Sequence, residues 1–169
     1  MATSRLGDPQ SIEDLLLYRL IRLVSVAGSP VIRMCEGQHG ITRREWRVMA
    51  VLQFHGPSLS SELADRAGLD HARTSRAITG LVEKKLLDRM ALPGDRRRVR
   101  ISLTPAGAAL YAQLFPEVVQ LNQEILSVLR PEEMDVLDDL INRLQARAVQ
   151  HVAEANLPKA NRRRGRLKS

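Results

Sequence analysis

Aromatic residues are scarce in this sequence: one Trp, two Tyr and two Phe make up 3% of 169 residues. Any core must be aliphatic, and an apolar content of 44% is enough for a chain of this length to bury one. Cysteine is scarcer still. Cys35 stands alone, which excludes an internal disulfide and with it the disulfide-stapled secreted scaffolds. No apolar run approaches the roughly 18 residues that span a bilayer. The opening MATSRLGDPQSIEDLL lacks a basic-then-apolar leader. The expectation is a soluble cytoplasmic protein with no membrane partner. Catalytic patterns are also missing. His39, His55, His71 and His151 have no Cys or carboxylate partners at metal-ligand spacing, and there is no G-x-S-x-G, no Gly-rich phosphate loop and no nucleophile beside a base. Neither an enzyme nor a bound metal or cofactor is expected.

What the chain does have is positive charge, unevenly placed. The net charge is +7, and six of the cations (Lys159, Arg162, Arg163, Arg164, Arg166 and Lys168) lie in the last thirteen residues, which carry no acid. Residues 1–70 are balanced, and residues 101–156 are acidic. Between them, residues 71–100 hold nine Lys and Arg against three acids. A basic block inside a neutral-to-acidic body suits a polyanion, although a solvated face with no partner has the same composition.

The elements follow from caps and periodicity. Ser11 can cap a helix whose apolar residues Ile12, Leu15, Leu16, Leu20, Leu23 and Val24 keep a helical period. Gly28-Ser29-Pro30 should interrupt it, with a resumption over Val31–Gln38. Thr42 and Glu45 have capping-box spacing at the head of a helix carrying Trp46, Val48, Met49, Val51 and Leu52. A short extended link, 58–60, precedes a compact helix, Ser61–Ala67, stopped by Gly68. Asp70 caps a helix from His71 to about Lys85, so two short helices flank a Gly-containing turn, the spacing of a helix-turn-helix. Leu86–Ala91 and Val99–Leu103 read as strands of a hairpin with a loop, Leu92–Arg98, tipped by three arginines. Thr104-Pro105 starts a long helix, and Pro131 starts the last one; both carry narrow apolar stripes that suit packing against a second chain. The fold class is mainly α with a small β-hairpin wing. The expected division is 1–40 (N-terminal helix), 41–103 (helix-turn-helix with its hairpin wing), 104–156 (C-terminal helices) and 157–169 (disordered basic tail).

On the 71–85 helix, Thr74, Ile78, Leu81, Val82 and the following Leu86 fall on one side and should be core, while Arg73, Arg76, Ala77 and Gly80 form a slim cationic face suited to a major groove. His71, Thr74 and Ser75, near the helix start, can reach phosphates or bases. In the hairpin, an arginine among Arg96, Arg97 and Arg98 can enter a minor groove while Asp95 holds the loop. The plain alternatives are solvent-facing arginines and a surface ion pair of little worth.

The stretches SELADRAGLDHARTSRAITGLVEKKLLDR and PGDRRRVRISLTPAG resemble the winged helix-turn-helix of the multiple antibiotic resistance regulator (MarR) family, with the flanking helices in matching order over about residues 11–150. Asp95-Arg96-Arg97 is similar to the family's wing signature, in which the second arginine reaches the minor groove. The resemblance implies a homodimer built from the first and last helices. It would bind a pseudo-palindrome in double-stranded DNA and respond to a small, often aromatic and anionic effector such as an aromatic acid or its CoA thioester. The repressor role is the one expected. Tyr18, Arg22, His39 and Trp46 lie in the segments where such an effector would sit, although Trp46 also fits a core and Arg22 a surface charge. The break at Gly28-Ser29-Pro30 and the basic tail depart from the family pattern. Cys35 lies near the end of the first helix rather than its start, so the family's oxidant-sensing cysteine does not carry over, and a free buried thiol is expected. A ligand-independent architectural DNA-binding protein or a protein adaptor on the same fold are the other functional classes.

Overall fold

The structure is a computed structural model that describes residues 5–92 and 95–155, with the side chains of residues 92–98 outside the description. Local chemistry accounts for most element boundaries. At the start, the Asp14 carboxylate accepts bonds from the Ser11 and Gln10 amides and the Ser11 hydroxyl, at 3.0, 3.2 and 3.0 Å. This closes a single 3-10 turn, Ile12–Asp14, and Leu15 is extended (φ −69°, ψ 128°), so α1 runs Leu16–Ala27 rather than from Ser11. The break falls at Gly28 as expected. Helix α2, Ser29–Gln38, has Pro30 in its first turn, where a missing N–H leaves no bond unmade. The Arg43 guanidinium occupies the space beside Gly28 that a Cβ would fill.

Helix α3, Arg43–His55, is capped as its sequence predicts: the Glu45 amide donates to the Thr42 hydroxyl at 3.2 Å, and the Thr42 amide donates to the Glu45 carboxylate at 2.6 Å. A two-residue strand β1, Ser58–Leu59, leads into α4, Ser60–Ala67. Helix α4 starts one residue earlier than Ser60 capping would give, because the Glu62 carboxylate takes the Leu59 amide at 2.9 Å. Gly68 supplies the left-handed turn (φ +59°) that aims α5, His71–Glu83, away from α4.

Strands β2, Leu87–Leu92, and β3, Asp95–Leu103, pair antiparallel, and β1 adds to the free edge of β3, giving the order β1-β3-β2. Here the expected hairpin needs correction. Residues 95–98 belong to β3 and not to a long loop: Ala91 pairs with Val99, the register then shifts, and Leu92 pairs with Asp95. Strand pairing is a nonlocal constraint, and a run of arginines shows no alternation from which to read it. The expected turn at Pro93-Gly94 and the basic tail at 157–169 lie outside the described residues.

By contact density the chain forms two units, Met1–Ile125 and Leu126–Ser169. The first has one aliphatic core. Cys35 of α2, Ile41, Val48 and Met49 of α3, Leu63 of α4, Leu81 of α5, Leu87 and Ile101 of the sheet and Leu114 of α6 (Pro105–Leu126) are all fully buried. The first turn of α6 is seated on the α5–β2 junction. The Thr104 hydroxyl donates to the Lys85 carbonyl at 2.8 Å and accepts from the Gly107 amide at 3.0 Å, and the Thr104 amide donates to the Leu86 carbonyl at 3.1 Å. The second unit is α7, Pro131–Glu154, with Leu137, Leu140, Ile141 and Leu144 exposed along one stripe.

A Cβ at residue 107 would collide with the Leu86 carbonyl oxygen. Gly107→Ala should therefore destabilise the protein by about 1–3 kcal/mol in urea unfolding. Helix propensity alone would raise stability by about 1 kcal/mol, and that result would show that α6 is not seated this way.

Candidate nucleic-acid interface

The rotation of α5 decides which side chains meet a partner. Asp70 caps it, accepting the Arg73 amide at 2.8 Å. Ala77, Ile78 and Leu81 face the core, and so does Thr74, which is fully buried with its hydroxyl donating to the Asp70 carbonyl at 3.0 Å. Thr74 is thus a core residue and is removed from the DNA-contact set, because its one hydroxyl proton is spent on the turn above it. Ala77 likewise leaves the outward face. The exposed strip is Ala72, Ser75, Arg76 and Thr79, one helical period each, with His71 at its head. Arg76 lies along this strip, its Nε 3.3 Å from the Ala72 carbonyl. Arg73 is exposed on the flank, its Nε 3.2 Å from the Asp70 carboxylate.

Two contacts hold this rotation. The Glu45 carboxylate, already capping α3, also receives both bonds from the Lys84 ammonium at 3.0 and 2.8 Å, tying the head of α3 to the end of α5. Gly80 permits it, since a Cβ there would strike the Glu45 carboxylate. On the outer side, Arg89 of β2 donates to the Thr79 hydroxyl at 2.8 Å. This puts a further cation beside the strip. Sequence reasoning counted Arg89 only in the charge of the basic block; its position two residues into β2, opposite Ile101, was the available signal. Asp95, Arg96, Arg97 and Arg98 begin β3, and their side chains lie outside the described residues.

A cationic strip on the second helix of a helix-turn-helix, followed by a β-hairpin, is the geometry of a winged helix. The MarR family profile matches residues 39–98. The HTH-type transcriptional regulator FarR of Neisseria gonorrhoeae is 32% identical over 107 residues, covering 63% of this chain and 73% of that protein. The HTH-type transcriptional repressor NicR of Pseudomonas putida is 32% identical over 89 residues, covering 53% of this chain and 55% of that protein. Wild-type apo MarR from E. coli superposes with a TM-score of 0.62 at 27% identity, covering 77% of this chain and 96% of that one. The chain belongs to the MarR family. It is a DNA-binding transcriptional regulator of the winged helix-turn-helix type, and no described helix is long and apolar enough to cross a membrane.

In this MarR-family chain the four residues expected around an effector do not converge. Trp46 is buried, stacked on Tyr111 with ring centroids 5.2 Å apart, and Tyr111 stacks in turn on Phe115. Arg22 is exposed on α1, 3.8 Å from Glu13. His39 ends α2 with its Nε2 3.8 Å from the Glu117 carboxylate of α6. Tyr18 is half-buried on α1 and lines neither the Arg22 recess nor the Trp46 recess. Tyr18 and Arg22 lie on α1, His39 at the end of α2 and Trp46 on α3. A cleft of about 690 Å³ lies between α2 and α6, lined by Arg33, Met34, Gln38, Glu117 and Leu121 among others.

Cys35 is fully enclosed in the core, and burial, reinforced by the charges of Glu36 and Glu117, pushes its thiol up from the ordinary range. A raised thiol is less ionised at neutral pH, and only the thiolate is nucleophilic. Native protein at pH 7.5 should react with Ellman's reagent far more slowly than the urea-unfolded chain. Equal rates would place Cys35 at the surface.

Proposed function

We propose that the protein acts as a homodimeric repressor that places α5 of each subunit in a major groove of a pseudo-palindromic operator. Half-sites would lie about one helical turn, roughly 10 bp, apart. The observation that carries this reading is Arg76 at the centre of an exposed strip of otherwise short side chains, Ala72, Ser75 and Thr79, on a helix whose opposite face is locked in the core. A guanidinium standing alone above small residues can approach a guanine edge and pair with it bidentately. His71, Ser75 and Arg73 serve the flanking phosphates. Arg97, with Arg96, Arg98 and Asp95, forms the minor-groove contact of the wing, by the resemblance of that triplet to the family's signature.

Dimerisation is supported by apolar side chains that the chain leaves uncovered. Leu17, Leu20, Ile21 and Val24 share one face of α1, and Leu137, Ile141 and Leu144 share one face of α7; all are exposed. Repression is supported by the likeness to NicR. For the effector, the cleft between α2 and α6 has the volume of a small-molecule site, with Arg33 to pair an anionic group and Met34 and Leu121 to receive an apolar or aromatic body. Its ligand, an aromatic acid or its thioester, would favour dimers whose reading heads are wrongly spaced, and must prefer that state by a few kcal/mol to empty an operator.

Footprinting on DNA flanking its own gene, with and without aromatic acids and their CoA thioesters, tests the reading. The protected region should span two half-sites and vanish with the active compound. Arg76→Ala should relax preference at one base position by about 1–3 kcal/mol, Arg97→Ala should weaken binding while the dimer persists, and Arg33→Ala should abolish release without altering affinity. A uniform loss on all DNA for Arg76→Ala would make it a phosphate contact. In light scattering, Ile141→Asp with Leu20→Asp should halve the mass; an unchanged mass would reject the proposed interface.

A further inference from the structure

A second cationic feature lies away from the exposed strip. Between α2, the head of α3 and the α4–α5 turn is a recess of about 290 Å³ lined by Arg43, Arg44, Arg47 and Arg73, with Glu36 as the one acidic side chain on its wall and Gly68 at the turn. Arg43, Arg44 and Arg47 lie within one turn and a half of α3, and tertiary packing brings Arg73 of α5 to them. Arg47 is half-buried and spends one N–H on the Ala67 carbonyl at 3.1 Å, and Arg73 pairs with Asp70, Nε to carboxylate oxygen at 3.2 Å. Among the described residues, Arg43 and Arg44 have no ion-pair partner within 4.0 Å. Each guanidinium carries five N–H donors, so most donors around the recess are unspent on protein.

Gathering like charges in a partly enclosed space is unfavourable without a counter-charge. Consistent with that, the Arg47 guanidinium is held below its ordinary basicity by burial and by the charges of Arg43 and Arg44. A phosphate presents more oxygens and more charge than a carboxylate to forked donors arriving from more than one side.

We infer that the recess formed by Arg43, Arg44, Arg47 and Arg73 is a phosphate-binding site, separate from both the base-reading strip of α5 and the cleft between α2 and α6. Two sources carry that chemistry. One is a backbone phosphate of the bound duplex, reached through Arg73 at the flank of α5. The other is a soluble phosphorylated compound, which would bridge the head of α3 to the start of α5.

Arg44→Ala tests the site, since Arg44 is exposed and makes no structural bond, and a matching thermal melt checks that the variant folds. Inorganic pyrophosphate is titrated calorimetrically into the full chain and the variant at fixed ionic strength, and the salt dependence of binding to a short duplex is measured for both. The basic tail is present in both proteins and cancels. A loss of pyrophosphate affinity of at least ten-fold in the variant supports the site with a soluble ligand. A salt slope reduced by about one, with pyrophosphate binding unchanged, supports it as a seat for a DNA phosphate. If pyrophosphate affinity and salt slope are both unaltered, the recess is not a phosphate site.

Discussion

The carboxylate of Glu45 is the point on which the presentation of α5 depends. It is buried, and it meets two needs at once: it closes the cap of α3 and receives the Lys84 ammonium from the end of α5. A buried carboxylate stripped of a partner is costly, so the two helices are held at one relative rotation. That rotation in turn puts Thr74, Ala77, Ile78 and Leu81 inward and leaves Arg76 outward. The absence of a side chain at Gly80 is part of the same contact. An apolar core alone would tolerate some slippage of α5 about its axis, because aliphatic packing is non-directional; a hydrogen-bonded carboxylate does not.

Residues whose partners are near in sequence were legible. Thr42 with Glu45, Asp70 with Arg73, and Thr104 with Gly107 are each three apart, and each boundary they mark is where the spacing predicts it. What was not legible depends on distant partners. Lys84 meets Glu45 across 39 residues. Strand β3 starts at Asp95 because β2 is there to pair with it. Thr74 projects to the core side and is buried there; what a projection does not show is that its hydroxyl is satisfied on the Asp70 carbonyl, which makes that burial cheap. The residues expected around an effector are dispersed for a related reason. Tyr18 and Arg22 lie before the Gly28 break and His39 after it, and a break reorients everything downstream by an amount that composition does not state.

The reading head of this MarR-family chain is built differently from the helices that precede it. The head has a continuous aliphatic core with directional polar locks at its edges. Helices α1 and α2 meet at a glycine braced by Arg43 rather than by packed apolar surface.

The central claim is that the outward strip of α5 enters the major groove. Its most direct measurement is DNA cleavage by iron-EDTA tethered to Ser75→Cys in a Cys35→Ala background, compared with the same tether at Gln113→Cys on α6. The account predicts cuts from residue 75 at major-groove edges in two clusters about one helical turn apart, and none above background from residue 113. Even cleavage along the duplex, or equal cleavage from the two positions, would contradict it.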